Sequence, residues 1–392
     1  MRELFAIRPY ALIWTVGLIQ GIGFFLLVNV PGRFLELGLT EGQIGLVYSG
    51  AALVGLGMRP VLGRTLDVVH RRTVIRVAGV VNAAAVAGLA AMSFAGPVLY
   101  GWFVVARASQ IAIATATLTY AADTLPLHLR TRGLAIFGLS GLIPIGVSNV
   151  AGDQIIALTG YTGAIFTSAA LALVASVLVW WLPTLPVLGQ RARRSFWAAL
   201  MQPDLRIVWF VTLIFSMGIE TLFAFMRAYV ESHPGVGTLG GFFGVYGLFA
   251  VLSRLTTGTR FELASPRRTI SFGISALAGT LLLLSTAPDT GLFLAAGVIG
   301  GVAHGVVFPL LSTEVVGRAR TAERGSAVAT FTSLFDIAIL GVVPIVGAVI
   351  DTAGYSTAFA SLGLVMLLGV VCYVRWDRRL PEVRMVSVTV ED

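Results

Sequence analysis

Residues 59–72 read Arg59-Pro60-Val61-Leu62-Gly63-Arg64-Thr65-Leu66-Asp67-Val68-Val69-His70-Arg71-Arg72. The stretch closes one long apolar run, 43–64, and leads into another, 73–93. Each run is near the ~20 residues that cross a bilayer as a helix. The stretch also has an echo. Arg59, Gly63 and Asp67 match Arg254, Gly258 and Glu262 at a constant offset of 195. Arg132-Gly133 and Ala135 match Arg324-Gly325 and Ala327 at offset 192, Gly160-Tyr161 match Gly354-Tyr355 at 194, and Asp123 matches Glu314 at 191. Landmarks in one order at a nearly constant offset indicate an internal duplication.

Working outward, apolar runs recur at 10–31, 43–64, 73–93, 97–121, 133–157, 161–183, 206–230, 239–258, 268–287, 291–315, 325–350 and 356–375. Composition agrees: 57% of the 392 residues are hydrophobic and 12% charged, where soluble domains run nearer a quarter charged. Helices facing hydrocarbon are apolar all round. The first run, at about 22 residues, exceeds a signal-peptide core and reads as retained. The expected fold is an all-α membrane protein with twelve transmembrane helices in two six-helix bundles. Its expected divisions are a first bundle at 1–184, a linker at 185–205, a second bundle at 206–376 and a tail at 377–392.

Every basic residue is arginine. With the N-terminus inside, all but Arg33, Arg107 and Arg227 fall on the cytoplasmic ends and loops, a positive-inside pattern that favours an even helix count. The basic run Arg191, Arg193, Arg194 falls in the linker and reads as a solvated cytoplasmic segment. Both halves begin on the same side, so the repeat is parallel, about an axis along the membrane normal. The expected location is the plasma membrane, with both termini cytoplasmic.

Whole function classes drop out. Without lysine there is no P-loop. One cysteine, Cys372, allows no internal disulfide, and His70, His128, His233 and His304 show no ligand spacing. Neither a nucleophile elbow nor a dinucleotide fingerprint is present. An intramembrane enzyme would need such a constellation, so the expectation is no enzyme, no cofactor and no nucleic-acid partner.

Residues 59–72 resemble the loop signature between the second and third helices of the major facilitator superfamily. Gly63, Asp67, Arg71 and Arg72 stand where that signature has glycine, acid and two basic residues; Val68 replaces a basic residue and His70 a glycine. Arg107-Ala108-Ser109-Gln110 resembles the family's Arg-x-x-Gln element, with Ile111 in place of glycine. Thr131-Arg132-Gly133-Leu134-Ala135 and Glu323-Arg324-Gly325-Ser326-Ala327 look like the starts of spans five and eleven. Gly141-Leu142-Ile143-Pro144-Ile145-Gly146 is a partial match to the antiporter signature, with Ile143 before the proline. The resemblance implies two bundles around a central cavity and alternating access, with spans three, six, nine and twelve against lipid.

Residue by residue, two sets emerge. Gly63 is expected to let its helix approach a neighbour, with Asp67 a turn below and Arg71 a turn beyond. Asp67, Arg71, Arg72 and Asp123, echoed by Gly258, Glu262 and Glu314, read as latches at the inner ends. The second set lies at mid-depth, where a charge costs about 2.5–3.5 kcal/mol on insertion scales and usually serves a pathway. It comprises Arg107, Glu220, Arg227, His304 and Asp336, with Gln20 and Gln110 adding hydrogen bonding. Glu220 and Arg227, two turns apart on one face, are expected on one cavity wall about 10.5 Å apart. For His304 the competing reading is hydrogen-bonded packing, and for Phe223, Phe225 and Tyr246 it is packing or lipid contact. Arg59 and Arg254 read as arginines snorkelling to the interface rather than as an anion site.

The function expected is secondary active transport of a small organic solute, with protons as coupling ion, Glu220 as coupling acid, and efflux as the direction. A monomer in the lipid bilayer is expected. The alternative is an importer of a small metabolite, an anion included, using Arg107 and Arg227.

Overall fold

The computed structural model describes residues 2–185, 200–260, 265–286, 289–320 and 324–377. Glu262, most of the basic linker and the tail from 378 lie outside them, as does the side chain of Asp67. The described residues are helical and form no strand. In chain order the helices are α1 (Arg2–Ala6), α2 (Arg8–Leu26), α3 (Val30–Glu36), α4 (Glu41–Val68), α5 (Arg71–Ala90), α6 (Pro97–Thr124), α7 (Leu127–Phe137) and α8 (Leu139–Leu178). The second half holds α9 (Arg206–Ser232), α10 (Leu239–Arg260), α11 (Pro266–Leu284), α12 (Thr290–Arg318) and α13 (Arg324–Asp377).

Local chemistry starts several of them. Thr40 and Gln43 form a reciprocal capping box at α4, and Asp289 caps α12 by accepting from the Leu292 N–H. Pro97 opens α6, where its missing N–H costs nothing.

Among the described residues, ten helical stretches are long and apolar enough to cross a membrane. Two of them, 128–181 and 326–376, run to 54 and 51 residues. Each breaks at a glycine in the left-handed region, Gly160 at φ 70° and Gly354 at φ 79°. Residues with a Cβ avoid that conformation. Read as two crossings each, these stretches are consistent with twelve. The repeated Gly-Tyr landmark therefore marks the same break in each half.

The halves meet along two helix pairs, α4 on α13 and α8 on α10. Bare backbone makes both contacts possible. A Cβ on Gly45 would stand 2.7 Å from the Cα of Pro344, and one on Gly247 would stand 2.8 Å from the Cα of Gly146. Close approach of this kind replaces the hydrophobic drive that lipid removes. α5 and α11 pack chiefly within their own halves, as expected for spans three and nine. Apolar side chains such as Leu158, Val68 and Phe272 are more than three-quarters exposed, which suits contact with lipid.

The expected close approach at Gly63 is not found: among the described residues nothing lies within 4 Å of where its Cβ would stand.

Candidate substrate and proton site

The arginine-poor end of the molecule is sealed by polar contacts between the halves. Arg227 on α9 donates to Asp153 (3.1 Å) and to the Tyr161 hydroxyl (2.6 Å) on α8, and also pairs with Glu231 (3.0 Å). Asp153 in turn accepts from the Gly240 N–H at 2.7 Å. On the opposite flank Asp351 accepts from the Thr40 hydroxyl (2.8 Å) and the Gly42 N–H (3.0 Å), and the Tyr355 hydroxyl donates to Glu41 (3.0 Å). The two repeated tyrosines thus each reach across to the other half.

This placement corrects the expectation for Arg227. Two turns beyond Glu220 it leaves mid-depth and joins the seal, because α9 runs on to Ser232 at the arginine-poor end. In Arg227→Gln protein the seal loses its charge-assisted bonds, each worth about 1.5–3 kcal/mol. A reporter cysteine introduced as Phe25→Cys, in a Cys372→Ala background, should then react roughly tenfold faster with an impermeant maleimide added from that side. An unchanged labelling rate overturns this role.

Deeper in, the remaining mid-depth residues divide. Glu220 on α9 is half-buried and makes no hydrogen bond or ion pair with the described residues. Its electrostatic neighbours are Arg107 on α6 and Asp336 on α13. Arg107 lies over the Phe24 ring (5.2 Å) and the Tyr48 ring (6.0 Å). Phe25 of the first half meets Phe223 of the second at 5.5 Å, and Phe223 stacks on Phe243 at 5.3 Å. The Oε1 of Gln110, one turn from Arg107, is buried without a partner. Glu220, Arg107, Tyr48 and Phe223 therefore share the boundary between the halves at mid-depth.

Asp336 is committed elsewhere. It accepts from Arg59 Nε at 2.8 Å and Nη2 at 2.5 Å, while Arg59 Nη1 donates to the Thr332 hydroxyl at 2.9 Å. Arg59 consequently does not snorkel; it is held across the interface between α4 and α13. Periodicity shows where such an arginine sits on its own helix, not which acid the other half brings to it.

His304 accepts from or donates to the Tyr246 hydroxyl at 2.9 Å and sits among Phe215 and Phe308. That is the packed arrangement weighed against a relay. Phe225 and Tyr246 are fully buried. Gln20 is set apart from the group: its Nε2 is 3.6 Å from where a Cβ on Gly79 would stand, beside Ser176. It faces α5 and the later part of α8, inside the first half, because the first span turns that side away from the interface.

At the arginine-rich end Arg71 pairs with Asp123 at 3.2 Å, and Arg72 donates to the carbonyls of Val179 and Trp180 and to Thr184. Glu314 pairs with Arg318 a turn away on α12 at 2.8 Å. These contacts tie helices within one half and do not bridge the halves. Gly258 lies in the last turns of α10.

Two clefts of about 310 and 300 Å³ lie away from this boundary. One is lined by Leu46, Val47 and Tyr100, the other by Phe272, Ala276 and Val302, both apolar flanks.

Comparison with known proteins then decides the family. The model of the Major Facilitator Superfamily matches residues 13–261 and 208–389. The chain belongs to the major facilitator superfamily. It is similar to an uncharacterized MFS-type transporter of Pseudomonas aeruginosa (strain UCBPP-PA14), 26% identical over 171 residues, 42% of this chain. That match spans 40% of the relative's length.

Among solved structures, the nucleoside transporter NupG aligns with TM-score 0.74 at 14% identity, covering 95% of this chain and 100% of that one. A POT family transporter in complex with 5-aminolevulinic acid aligns with TM-score 0.80 at 12% identity, covering 96% and 97%. The human organic anion transporter MFSD10 aligns with TM-score 0.69 at 18% identity, covering 93% and 99%. These likenesses show the fold. The chain is a multi-pass membrane protein of this superfamily.

Proposed function

We propose that this transporter exports a small amphipathic organic solute in exchange for protons, with Glu220 as the coupling acid. The observation that carries the reading is Glu220 itself. It is an acid at mid-depth on the boundary between the halves, with no hydrogen bond or ion pair to the described residues and with Arg107 as its cationic neighbour in the opposite half. A structural acid in low dielectric is paired or bonded; one left open at a pathway is available to protons and solute. Phe24, Phe25 and Phe223 give the same boundary an apolar lining suited to an amphipathic solute.

With the arginine-rich side in the cytoplasm, the sealed end faces outward. Alternating access then requires the Arg227 and Asp351 contacts to break as the halves rock about α4–α13 and α8–α10. Gly146, at the end of the glycine-rich part of α8, packs on α10, where an antiporter-like hinge is expected. The protein acts as a monomer in the plasma membrane. Import of an anionic metabolite is a second reading, favoured by the number of arginines at the boundary.

Reconstituted protein with a pH-sensitive dye in the lumen tests both. Solute from a panel of drug-like compounds and metabolites is added outside. Lumenal alkalinisation on solute entry marks antiport, and acidification marks symport. If no solute moves protons, proton coupling is wrong.

A further inference from the structure

The duplication supplies an internal control on the arginines at the boundary. Arg59 and Arg254 are repeat equivalents, one on α4 and one on α10. Each faces a helix of the other half: Arg59 meets α13, and Arg254 Nη2 stands 3.0 Å from where a Cβ on Gly138 would be, beside α8. Arg59 has a complete set of partners in Asp336 and Thr332. At the offset of 192 that relates the starts of the two facing spans, Asp336 corresponds to Pro144 and Thr332 to Ser140. Pro144 offers no side-chain acceptor. The Ser140 hydroxyl donates to the Phe137 carbonyl at 2.7 Å, inside the first half. Arg254 thus meets backbone where its twin meets a carboxylate.

Among the described residues no acid replaces the missing one. Among the described residues Arg254 has no ion pair or hydrogen bond, and its electrostatic neighbour is His304. The other boundary arginines are compensated: Arg59 by Asp336, Arg227 by Asp153 and Glu231, and Arg107 by the field of Glu220. Snorkelling does not explain Arg254, because Leu252 and Leu255, the residues that face outward nearby, are 44% and 50% exposed while Arg254 turns to α8. A half-buried guanidinium without a counter-charge is costly unless something supplies one. Its planar fork fits a carboxylate with two parallel bonds. Beside His304, Phe308 and Phe335 are half-buried aromatics 5.9 Å apart, able to hold an apolar body.

We infer that Arg254 seats an acidic group of the transported solute, which makes the substrate class small aromatic or amphipathic organic anions. This rests on the reading of the chain as a solute transporter and goes beyond it by naming the anchor and the charge. A phospholipid headgroup carries similar chemistry, and the test separates the two.

The test is binding without any gradient. Purified protein in neutral detergent is heated with a panel of one- and two-ring aromatic monocarboxylates, each paired with its primary amide. The acids are expected to bind about tenfold to a hundredfold tighter than their amides, the range for a charge-assisted bond to a partly desolvated guanidinium. Arg254→Gln abolishes that preference and Arg254→Lys keeps part of it. Should Arg254→Gln fail to fold, Ser140→Asp carries the test, since it gives Arg254 an internal acid and should also erase the preference. The inference is overturned if no acid outbinds its amide, or if the preference survives in Arg254→Gln and vanishes instead in Arg107→Gln. It is also overturned if phosphatidylglycerol added to the micelles removes the preference, which assigns Arg254 to lipid. Because no gradient is used, failure of proton coupling leaves this result intact, and loss of the preference leaves proton coupling untouched.

Discussion

Glu220→Gln protein should no longer carry out uphill transport driven by a pH gradient, with rates falling to those of empty liposomes. Exchange of solute across a membrane with equal pH on both sides should persist. The glutamine keeps the volume and one acceptor of a protonated glutamic acid but has no proton to release. A cycle that needs net proton movement stops; one that only swaps solute does not. Glu220 suits this experiment because no ion pair or hydrogen bond of the described residues is lost with it, so the change is local. Its neighbour Arg107 stays in place over Phe24. Both activities are measured in the same vesicles. If exchange disappears together with uphill transport, Glu220 binds solute or supports the fold instead. If both survive, Glu220 does not couple protons.

The second large effect is expected at Asp336. Its carboxylate and the Arg59 guanidinium form the one ion pair among the described residues that joins α4 to α13, with side chains 11% and 16% exposed. Removing one member of such a pair leaves the other charge uncompensated, which typically costs about 3–5 kcal/mol. Asp336→Asn and Arg59→Gln should each lower the unfolding temperature of purified protein markedly. The double variant Arg59→Met/Asp336→Leu should recover most of the loss, since apolar residues of similar volume commonly replace a buried pair at little cost. Single variants that unfold with the wild type, or a double variant worse than either, would sink the idea. The same pair crosses the interface, so single variants should also change how the two end-states are populated. Labelling of the Phe25→Cys reporter reads that shift separately from stability.

Much of the fold was legible in the sequence. Apolar runs of bilayer length identify helices because lipid leaves the backbone no other partner than itself. The Gly-Tyr repeat falls at the two helix breaks, because a left-handed break in a long helix selects glycine in both halves. The cost of a mid-depth charge singled out Glu220, Arg107 and Asp336 without any knowledge of their neighbours.

Which charges meet was a different matter. Arg59 and Arg254 are indistinguishable along the chain, yet among the described residues one is paired and the other is not, because the facing helices carry Asp336 in one half and Pro144 in the other. Arg227 belongs to the seal and Gln20 to the interior of the first half for the same reason: helical spacing sets the face of a residue on its own helix, while its partners come from helices far away along the chain. Sequence by itself determined the crossings, the duplication and the short list of costly charges. Only the packing of one half on the other decided which of those charges meet a partner among the described residues.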